Sequence, residues 1–219
     1  MTNGRGHYLK QAIKSAEENL IWDFDWKMIV DDSADTQYST WLSGAFGSSF
    51  QIYPTKEPCG FCGSIQRGWN LLPEDADFVF HLEDDFTFNE PIRIQEMIDI
   101  LQDNPKLAQI ALLRQAVNPA EKSAGGVIQC FSNDFKQREK GNRIWMEHAR
   151  FFTTNPSLYP RSISRIPYPL EDFCEGKFSI KLRAAGYRFA ILGKKDQKPK
   201  VAHIGEYKAA NWQWISHVG

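Results

Sequence analysis

With 219 residues, 42% of them hydrophobic, the chain is long enough to bury the core of one domain, which we expect to span residues 1–219. The sequence has no apolar run that could span a membrane and no apolar leader, so we expect no membrane partner and a cytoplasmic protein. The net charge of −1 conceals two halves: residues 1–110 have a balance of −10 and residues 111–219 a balance of +9. An acidic half suits a metal site, and a basic half suits an anionic partner.

The four cysteines are too few and too scattered for a disulfide scaffold. Cys59 and Cys62 have the spacing of half a zinc site, but no second pair follows them. Both observations indicate a reducing cytoplasm.

Taken in order, the first half alternates helices and strands. Apolar residues at helical spacing predict a helix over 6–20, and a short strand over 26–30 ends in Asp31 and Asp32. Nucleotide-binding α/β sheets carry such polar groups at their carboxyl edge, although an Asx turn or a helix cap also explains these acids. Glycines and prolines predict a loop over 34–58.

The most informative stretch is an apolar run from Phe78 to Leu82, which predicts a buried strand. It ends in three consecutive carboxylates, Glu83, Asp84 and Asp85. Like charges this close repel each other unless a cation lies between them, and hard oxygen ligands suit Mg²⁺ or Mn²⁺. A solvated acidic turn is the alternative. Because apolar residues flank the acids on both sides, a divalent-metal site at a cleft floor is the stronger interpretation.

The second half continues the alternation. A helix starts near Pro91 and ends at Asn104, and strands are predicted at 107–113, 151–154, 189–192 and 201–205. Acids at 171–175 precede a helix that runs through Arg183. Residues 127–150 are basic and give no clear element.

The sequence Leu82-Glu83-Asp84-Asp85 resembles the Asp-x-Asp motif of metal-dependent glycosyltransferases with the GT-A fold, with Glu83 and Asp85 at the two acid positions. Residues 81–88 and 151–158 resemble small, family 2-like glycosyltransferases encoded by bacteriophages, and the resemblance covers nearly the whole chain. It implies an α/β, single-domain, Rossmann-like fold with a mixed central sheet flanked by helices. It also implies inverting transfer of a sugar from a nucleotide-sugar donor to a hydroxyl.

The resemblance assigns roles residue by residue. It implies a Mn²⁺ or Mg²⁺ ion held by Asp85, Glu83 and, after the last strand, His203. The residues implied at the donor are Thr2, Arg5, Asp31, Asp32, Gly60, Gln66, Arg67 and Asp84. The chain departs from the family in two ways. Ile65 and Gln66 stand where Arg and Asn are expected, and no full strand precedes the Thr2-x-x-Arg5 segment, so the first strand is expected to be truncated to a stub or replaced.

Two carboxylates compete for the role of catalytic base that the resemblance implies. Counting back from Ala185-Gly186-Tyr187 places the base at Glu175, whereas matching the letters Glu-Asp places it at Asp172. Glu175 ranks first. Simple capping of a helix N-terminus is the structural alternative for both.

The basic half favours hydroxymethylated pyrimidines of bacteriophage DNA as the acceptor, because phosphate contacts dominate affinity for DNA. A protein or glycan acceptor, a nucleotidyltransferase and a non-catalytic nucleotide-sugar-binding module are the alternatives.

Overall fold

A computed structural model describes residues 1–205. The helices are α1 (Gly6–Asn19), α2 (Thr36–Phe46), α3 (Gly60–Asn70), α4 (Ile94–Asp103), α5 (Pro119–Ala124), α6 (Val127–Cys130), α7 (Arg161–Ser164) and α8 (Cys174–Ala184). The strands are β1 (Leu20–Ile21), β2 (Met28–Asp31), β3 (Gln51–Pro54), β4 (Phe78–His81), β5 (Phe86–Phe88), β6 (Ile92–Arg93), β7 (Leu107–Ala111), β8 (Lys136–Lys140), β9 (Arg143–His148), β10 (Ser157–Pro160), β11 (Arg188–Leu192) and β12 (Val201–His203).

A mixed sheet of six strands forms the centre, in the order β4-β10-β7-β11-β9-β8. Within this sheet β7 and β11 pair in parallel, and β10 runs antiparallel to both β4 and β7. Strands β4, β7 and β11 therefore point the same way, and their carboxyl ends lie on one edge. Helices cover both faces: Ala190 of β11 joins a core cluster with Met97 of α4, while its neighbour Phe189 joins one with Phe178 of α8. The predicted mixed α/β sheet flanked by helices is confirmed.

Strands β2 and β3 form a separate parallel pair. The first residues of the chain connect this pair to the segment after β4. Thr2 pairs with the end of β2: its N–H donates to Val30 O at 3.0 Å, and Asp32 N donates to Thr2 O at 3.0 Å. On the other side, the Met1 amine donates to Leu82 O at 3.0 Å. A stub of two residues thus lies between β2 and the end of β4, which is one of the two arrangements expected for the first strand.

The prediction of a loop over 34–58 is wrong, because α2 and β3 lie there. Asp35 caps α2 by accepting from Gln37 N at 2.8 Å and Tyr38 N at 3.2 Å. Leu42 of this helix is buried in a cluster with Leu9 and other residues. The glycines that suggested a loop lie in the last turns and at the end of α2, where they are tolerated.

The strand predicted at 151–154 is also wrong. That segment has no ladder partner, and β10 begins only at Ser157. Its backbone N–H groups bond to side chains instead: Phe152 N donates to Ser179 Oγ at 2.7 Å, and Thr153 N donates to Gln109 Oε1 at 3.0 Å. Aromatic and β-branched composition suggested a strand, but side-chain acceptors from β7 and α8 fix this segment.

The sequence did not predict the disulfide that two of the cysteines form. Cys62 of α3 and Cys174 of α8 form a disulfide across 112 residues, with their Cα atoms 6.1 Å apart. Local cysteine spacing carries no information on such a long-range pair, which forms because the two helices meet. Cys59 and Cys130 are free thiols. Over residues 1–205, no helix has the length and apolar character needed to cross a membrane.

Candidate active site at the carboxyl edge of the sheet

Asp84 anchors the first residues of the chain to the acidic turn after β4. The residue is 1% exposed, and its Oδ2 accepts from Thr2 Oγ1 at 2.8 Å and from Arg5 Nε at 3.2 Å. A second guanidinium nitrogen, Arg5 Nη2, donates to Oδ1. Since burying a carboxylate costs free energy unless it is paired and hydrogen-bonded, Arg5 and Thr2 supply the partners that Asp84 requires at this position. Three residues predicted at the donor are thus brought together.

Asp85 faces both a cation and an imidazole. Its Oδ2 accepts from Arg5 Nη1 at 2.7 Å and lies 3.4 Å from His203 Nε2. Burial raises the pKa of Asp85, but the hydrogen bond from His203 and the charge of Arg5 outweigh it and lower the pKa below its ordinary value. The other oxygen, Oδ1, is buried and has no hydrogen-bond partner among the described residues.

Glu83 is half-buried beside these groups. Burial raises the pKa of Glu83 to about 8; a hydrogen bond from Thr154 acts against this, and the charges of Asp85 and Glu175 add to it. Such a carboxyl is protonated at neutral pH unless a cation joins it.

A divalent ion fits this turn. Asp85 and His203 offer an oxygen and a nitrogen ligand side by side, and one buried oxygen of Asp85 has no hydrogen-bond partner among the described residues. A nearby cation would also favour the ionised form of Glu83, whose pKa is raised. Within residues 1–205, however, no three His, Cys, Asp or Glu side chains already form a complete metal cluster. Of the three predicted ligands, Asp85 and His203 are in contact, and Glu83 lies within electrostatic reach of Asp85.

Glu175 lies in the first turn of α8 and faces the acidic turn. Its Oε1 accepts from Thr154 N at 2.7 Å and from Thr154 Oγ1 at 3.0 Å. Burial raises its pKa, even though the bonds from Thr154 and the charge of Arg114 act to lower it. A carboxyl with a perturbed pKa in a cleft is a candidate for acid–base chemistry. By contrast, Asp172 lies in the exposed segment before the helix.

The acids after β2 are both engaged. Asp31 is fully buried and accepts from Ser33 N at 2.9 Å and Ser39 Oγ at 2.7 Å. Asp32 accepts from Cys59 N and Gly60 N, each at 2.8 Å, so its carboxylate binds the N-terminus of α3. Gly60 has φ +70°, and a Cβ there would meet nothing within 4 Å. The backbone therefore turns into α3 beside open space.

Two residues predicted at the donor hold structural elements together. Gln66 Oε1 accepts from Tyr168 N at 2.6 Å and fixes the segment before α8 to α3. Arg67 donates to Pro54 O at 2.5 Å and to Asp31 O at 3.5 Å, joining the carboxyl ends of β3 and β2. Arg67 thus remains at the predicted edge, whereas Gln66 binds the segment before α8.

Sequence reasoning missed three residues that build the site. The side chain of Gln115 forms two hydrogen bonds with the backbone of His203. Its Nε2 donates to His203 O at 2.8 Å, and its Oε1 accepts from His203 N at 2.9 Å. Thr154 holds Glu175, and the buried Tyr168 hydroxyl has no hydrogen-bond partner in the described chain. The position of Gln115, just after a strand that ends at this edge, was the available signal.

No protein-family model and no curated protein matches the sequence. Among solved structures, the chain is similar to GalNAc-T7 with UDP, GalNAc and Mn²⁺, with TM-score 0.64 and 8% identity over 92% of this chain and 42% of that one. It is also similar to the mannosyltransferase PcManGT from Pyrobaculum calidifontis, in complex with GDP-Man and Mn²⁺, with TM-score 0.62 and 11% identity over 89% of this chain and 53% of that one.

The chain has the GT-A fold. A third similar structure is the UTP-bound UGPase from Acinetobacter baumannii, with TM-score 0.50 and 11% identity over 90% of this chain and 77% of that one. The chain spans about half the length of the two glycosyltransferases. At these identities the likeness establishes the GT-A fold, as predicted, and the activity has to be argued from the site.

Proposed function

We propose that the protein is a metal-dependent, inverting glycosyltransferase that uses a nucleotide-sugar donor. The observation that carries this proposal is the position of Glu175: this half-buried carboxyl, whose pKa is raised by burial, lies within electrostatic reach of Glu83, which immediately precedes Asp84 and the Asp85–His203 pair. Solved structures with this fold contain UDP, GDP-Man and Mn²⁺. The two halves of the reaction, donor activation and acceptor deprotonation, each have a candidate group.

In this mechanism Asp85, His203 and Glu83 would hold Mn²⁺ or Mg²⁺, which supplies positive charge to the departing diphosphate. Glu175 accepts the proton of the acceptor hydroxyl while that oxygen bonds to the anomeric carbon and the bond from carbon to the diphosphate oxygen breaks. Thr154 holds the carboxylate through two bonds to its Oε1 atom. One displacement inverts the configuration, and general-base catalysis of this kind contributes about 10²–10⁴-fold.

The donor would lie along Thr2, Arg5, Asp31, Asp32, Gly60, Arg67 and Asp84. The open space at Gly60 favours this path, because a backbone without a side chain permits close approach of a phosphate. The Asp32 carboxylate already binds the α3 N-terminus, so a diphosphate there requires a compensating cation or a shifted Asp32.

The hypothesis of a DNA acceptor rests on one of the two basic stretches. Lys194, Lys195 and Lys198 are exposed in the segment between β11 and β12, which leads to His203. The stretch over 136–143 lies on β8 and β9, at the sheet edge opposite β4, where Lys140 and Arg143 pair with Asp103. The first stretch is therefore the proposed DNA contact, and a bacteriophage origin belongs to the same hypothesis. A host-cytoplasm location was expected from the cysteines, but the Cys62–Cys174 disulfide favours an oxidising environment.

The alternative is a nucleotidyltransferase, which the similarity to the UGPase favours because the chain covers 77% of that protein. Nucleotidyl transfer breaks the bond between the α- and β-phosphates and needs no base for an acceptor hydroxyl. Glu175 distinguishes the two functions.

A panel of nucleotide sugars and nucleoside triphosphates with Mn²⁺, read by thermal shift, identifies the donor, because a ligand of the native state raises the melting temperature. The stabilising donor is then incubated with acceptors, and mass spectrometry records the products. Glycosyl transfer or donor hydrolysis to a nucleoside diphosphate and free sugar, lost in Glu175→Gln, supports the proposal. Pyrophosphate release from a triphosphate that persists in Glu175→Gln would establish the alternative.

A further inference from the structure

We propose that the Cys62–Cys174 disulfide positions Glu175 for catalysis, so that turnover requires the oxidised cysteine pair. This inference rests on the proposed function, since it assigns a role relative to the general base. Cys174 immediately precedes Glu175 at the start of α8, and its bond to Cys62 is the covalent link between α8 and α3.

Apart from the disulfide and the packing of Cys174, the start of α8 is held mainly by the two bonds from Thr154 to Glu175. Its N-cap residue, Phe173, has a left-handed backbone with φ 61° and makes no side-chain cap bond. Leu170 and Phe173 are 67% and 54% exposed, so the preceding segment is not fixed by burial. A helix end without a capping side chain frays more readily than a capped one. Cys174, which is 2% exposed, is the first residue of this region that lies in the core.

The other end of the disulfide is rigid. Cys62 lies in the first turn of α3, whose N-terminus is bound by the Asp32 carboxylate through Cys59 N and Gly60 N. Further along α3, Ile65 and Trp69 are buried in the same core cluster as Cys174. The disulfide thus fixes the beginning of the helix that carries the base to a helix that is itself fixed to the donor edge of the sheet.

Reduction would remove this link. A dithiol such as dithiothreitol transfers two electrons and two protons: the Cys62–Cys174 bond breaks, two thiols form, and the dithiol becomes a cyclic disulfide. Glu175 would then be held by the Thr154 bonds and by the packing of α8. Since a misplacement of about 1 Å costs about 10²-fold in rate, we expect kcat to fall by that order while donor affinity changes less than about twofold.

The experiment compares oxidised and reduced wild-type protein below the melting temperature of both. It uses the donor that the thermal-shift panel identifies and the acceptor that mass spectrometry identifies. Alkylation and mass spectrometry count the free thiols, circular dichroism checks the fold, and calorimetry gives donor Kd. The double variant Cys62→Ser/Cys174→Ser repeats the test without a reductant, and Cys130→Ser, which removes a thiol elsewhere, is the control. The acidic limb of the kcat–pH profile should move toward the ordinary glutamate value, a change that a purely stabilising disulfide would not produce.

Each outcome is decisive. Loss of kcat with unchanged folding, donor Kd and Cys130→Ser activity supports the inference. Full kcat after reduction, a loss that merely follows the unfolded fraction, or four free thiols in the air-oxidised protein would overturn it while the proposed function stands, provided that Glu175→Gln is inactive. If the oxidised wild type has no transfer activity, or Glu175→Gln retains it, the proposed function fails and this inference fails with it.

Discussion

Thr154 donates two hydrogen bonds, from its backbone N–H and its hydroxyl, to one oxygen of Glu175. Both bonds favour the ionised carboxylate, whereas burial favours the protonated acid. The effect of burial is the larger, so the pKa of Glu175 is raised overall. The pair therefore sets the pH at which the proposed base becomes competent.

Thr154→Val tests this balance. The variant removes the hydroxyl bond, which favours the ionised carboxylate, and keeps the backbone bond, so the pKa of Glu175 should rise further. The acidic limb of kcat then moves to higher pH, which a kcat–pH profile measures. Thr40→Val, at an exposed threonine of α2, is the matched control and should leave the profile unchanged. An unmoved limb in Thr154→Val would separate Thr154 from the base.

Glu175→Gln and Asp172→Asn decide between the two candidate bases. We expect Glu175→Gln to bind donor normally and lose about 10²–10⁴-fold in kcat, because an amide cannot accept the proton. Asp172→Asn should retain activity, since Asp172 is exposed before α8. Wild-type activity should fall as the pH drops through a pKa above the ordinary glutamate value. The reverse pattern in the two variants would move the base to Asp172.

The sequence predicts the elements that carry strong local signals and misses those fixed by distant partners. The acidic strand end at Asp85 and the helix ending at Asn104 follow from apolar runs and breakers, and both are confirmed. The segment over 151–154 was misassigned because its partners, Gln109 and Ser179, are distant in sequence. The Cys62–Cys174 bond was missed for the same reason. Of the site, the acids and the partners of Asp84 and Asp85 were predicted from local motifs and the family resemblance, whereas Thr154, which binds Glu175 from a distant segment, was not.

Asp85→Asn should abolish Mn²⁺-dependent donor binding while the fold persists. The change keeps the size of a buried side chain but removes the charge opposite His203 and Arg5. Isothermal titration of the donor with and without Mn²⁺ measures the effect, and Asp99→Asn, on the α4 surface, is the control. Unchanged Mn²⁺-dependent binding in Asp85→Asn would remove this residue from the metal site.

His148 should make the protein sensitive to acid. The residue is 1% exposed among the rings of Phe135, Phe151 and Phe189, and burial, aided by the charges of Arg188 and Arg150, lowers its pKa from 6.5 to about 3. Between these values the unfolded chain binds a proton that the native state does not. Stability is therefore lost as pH falls below 6.5, by about 2 kcal/mol at pH 5 from this residue.

Urea unfolding at pH 7 and pH 5 measures this loss in the wild type and in His148→Phe, which retains an aromatic ring and does not titrate. The free energy of unfolding of the variant should fall less between the two pH values, by about the same 2 kcal/mol. His7→Phe, at an exposed histidine, should behave as the wild type. Equal pH dependence in His148→Phe and the wild type would show that His148 is not the titrating group.

The acceptor prediction separates the two basic stretches. If the exposed lysines between β11 and β12 contact DNA, the double variant Lys195→Glu/Lys198→Glu should raise the apparent KM for duplexes containing 5-hydroxymethylcytosine or 5-hydroxymethyluracil, and the salt dependence of binding should weaken. Donor hydrolysis should stay unchanged. Lys140→Glu/Arg143→Glu carries the same change of charge at the far sheet edge and should affect acceptor KM little. Mass spectrometry of the DNA records the added sugar, with unmodified duplex as control. A protein or glycan modified while no duplex gains a sugar would reject DNA as the acceptor and keep the transferase.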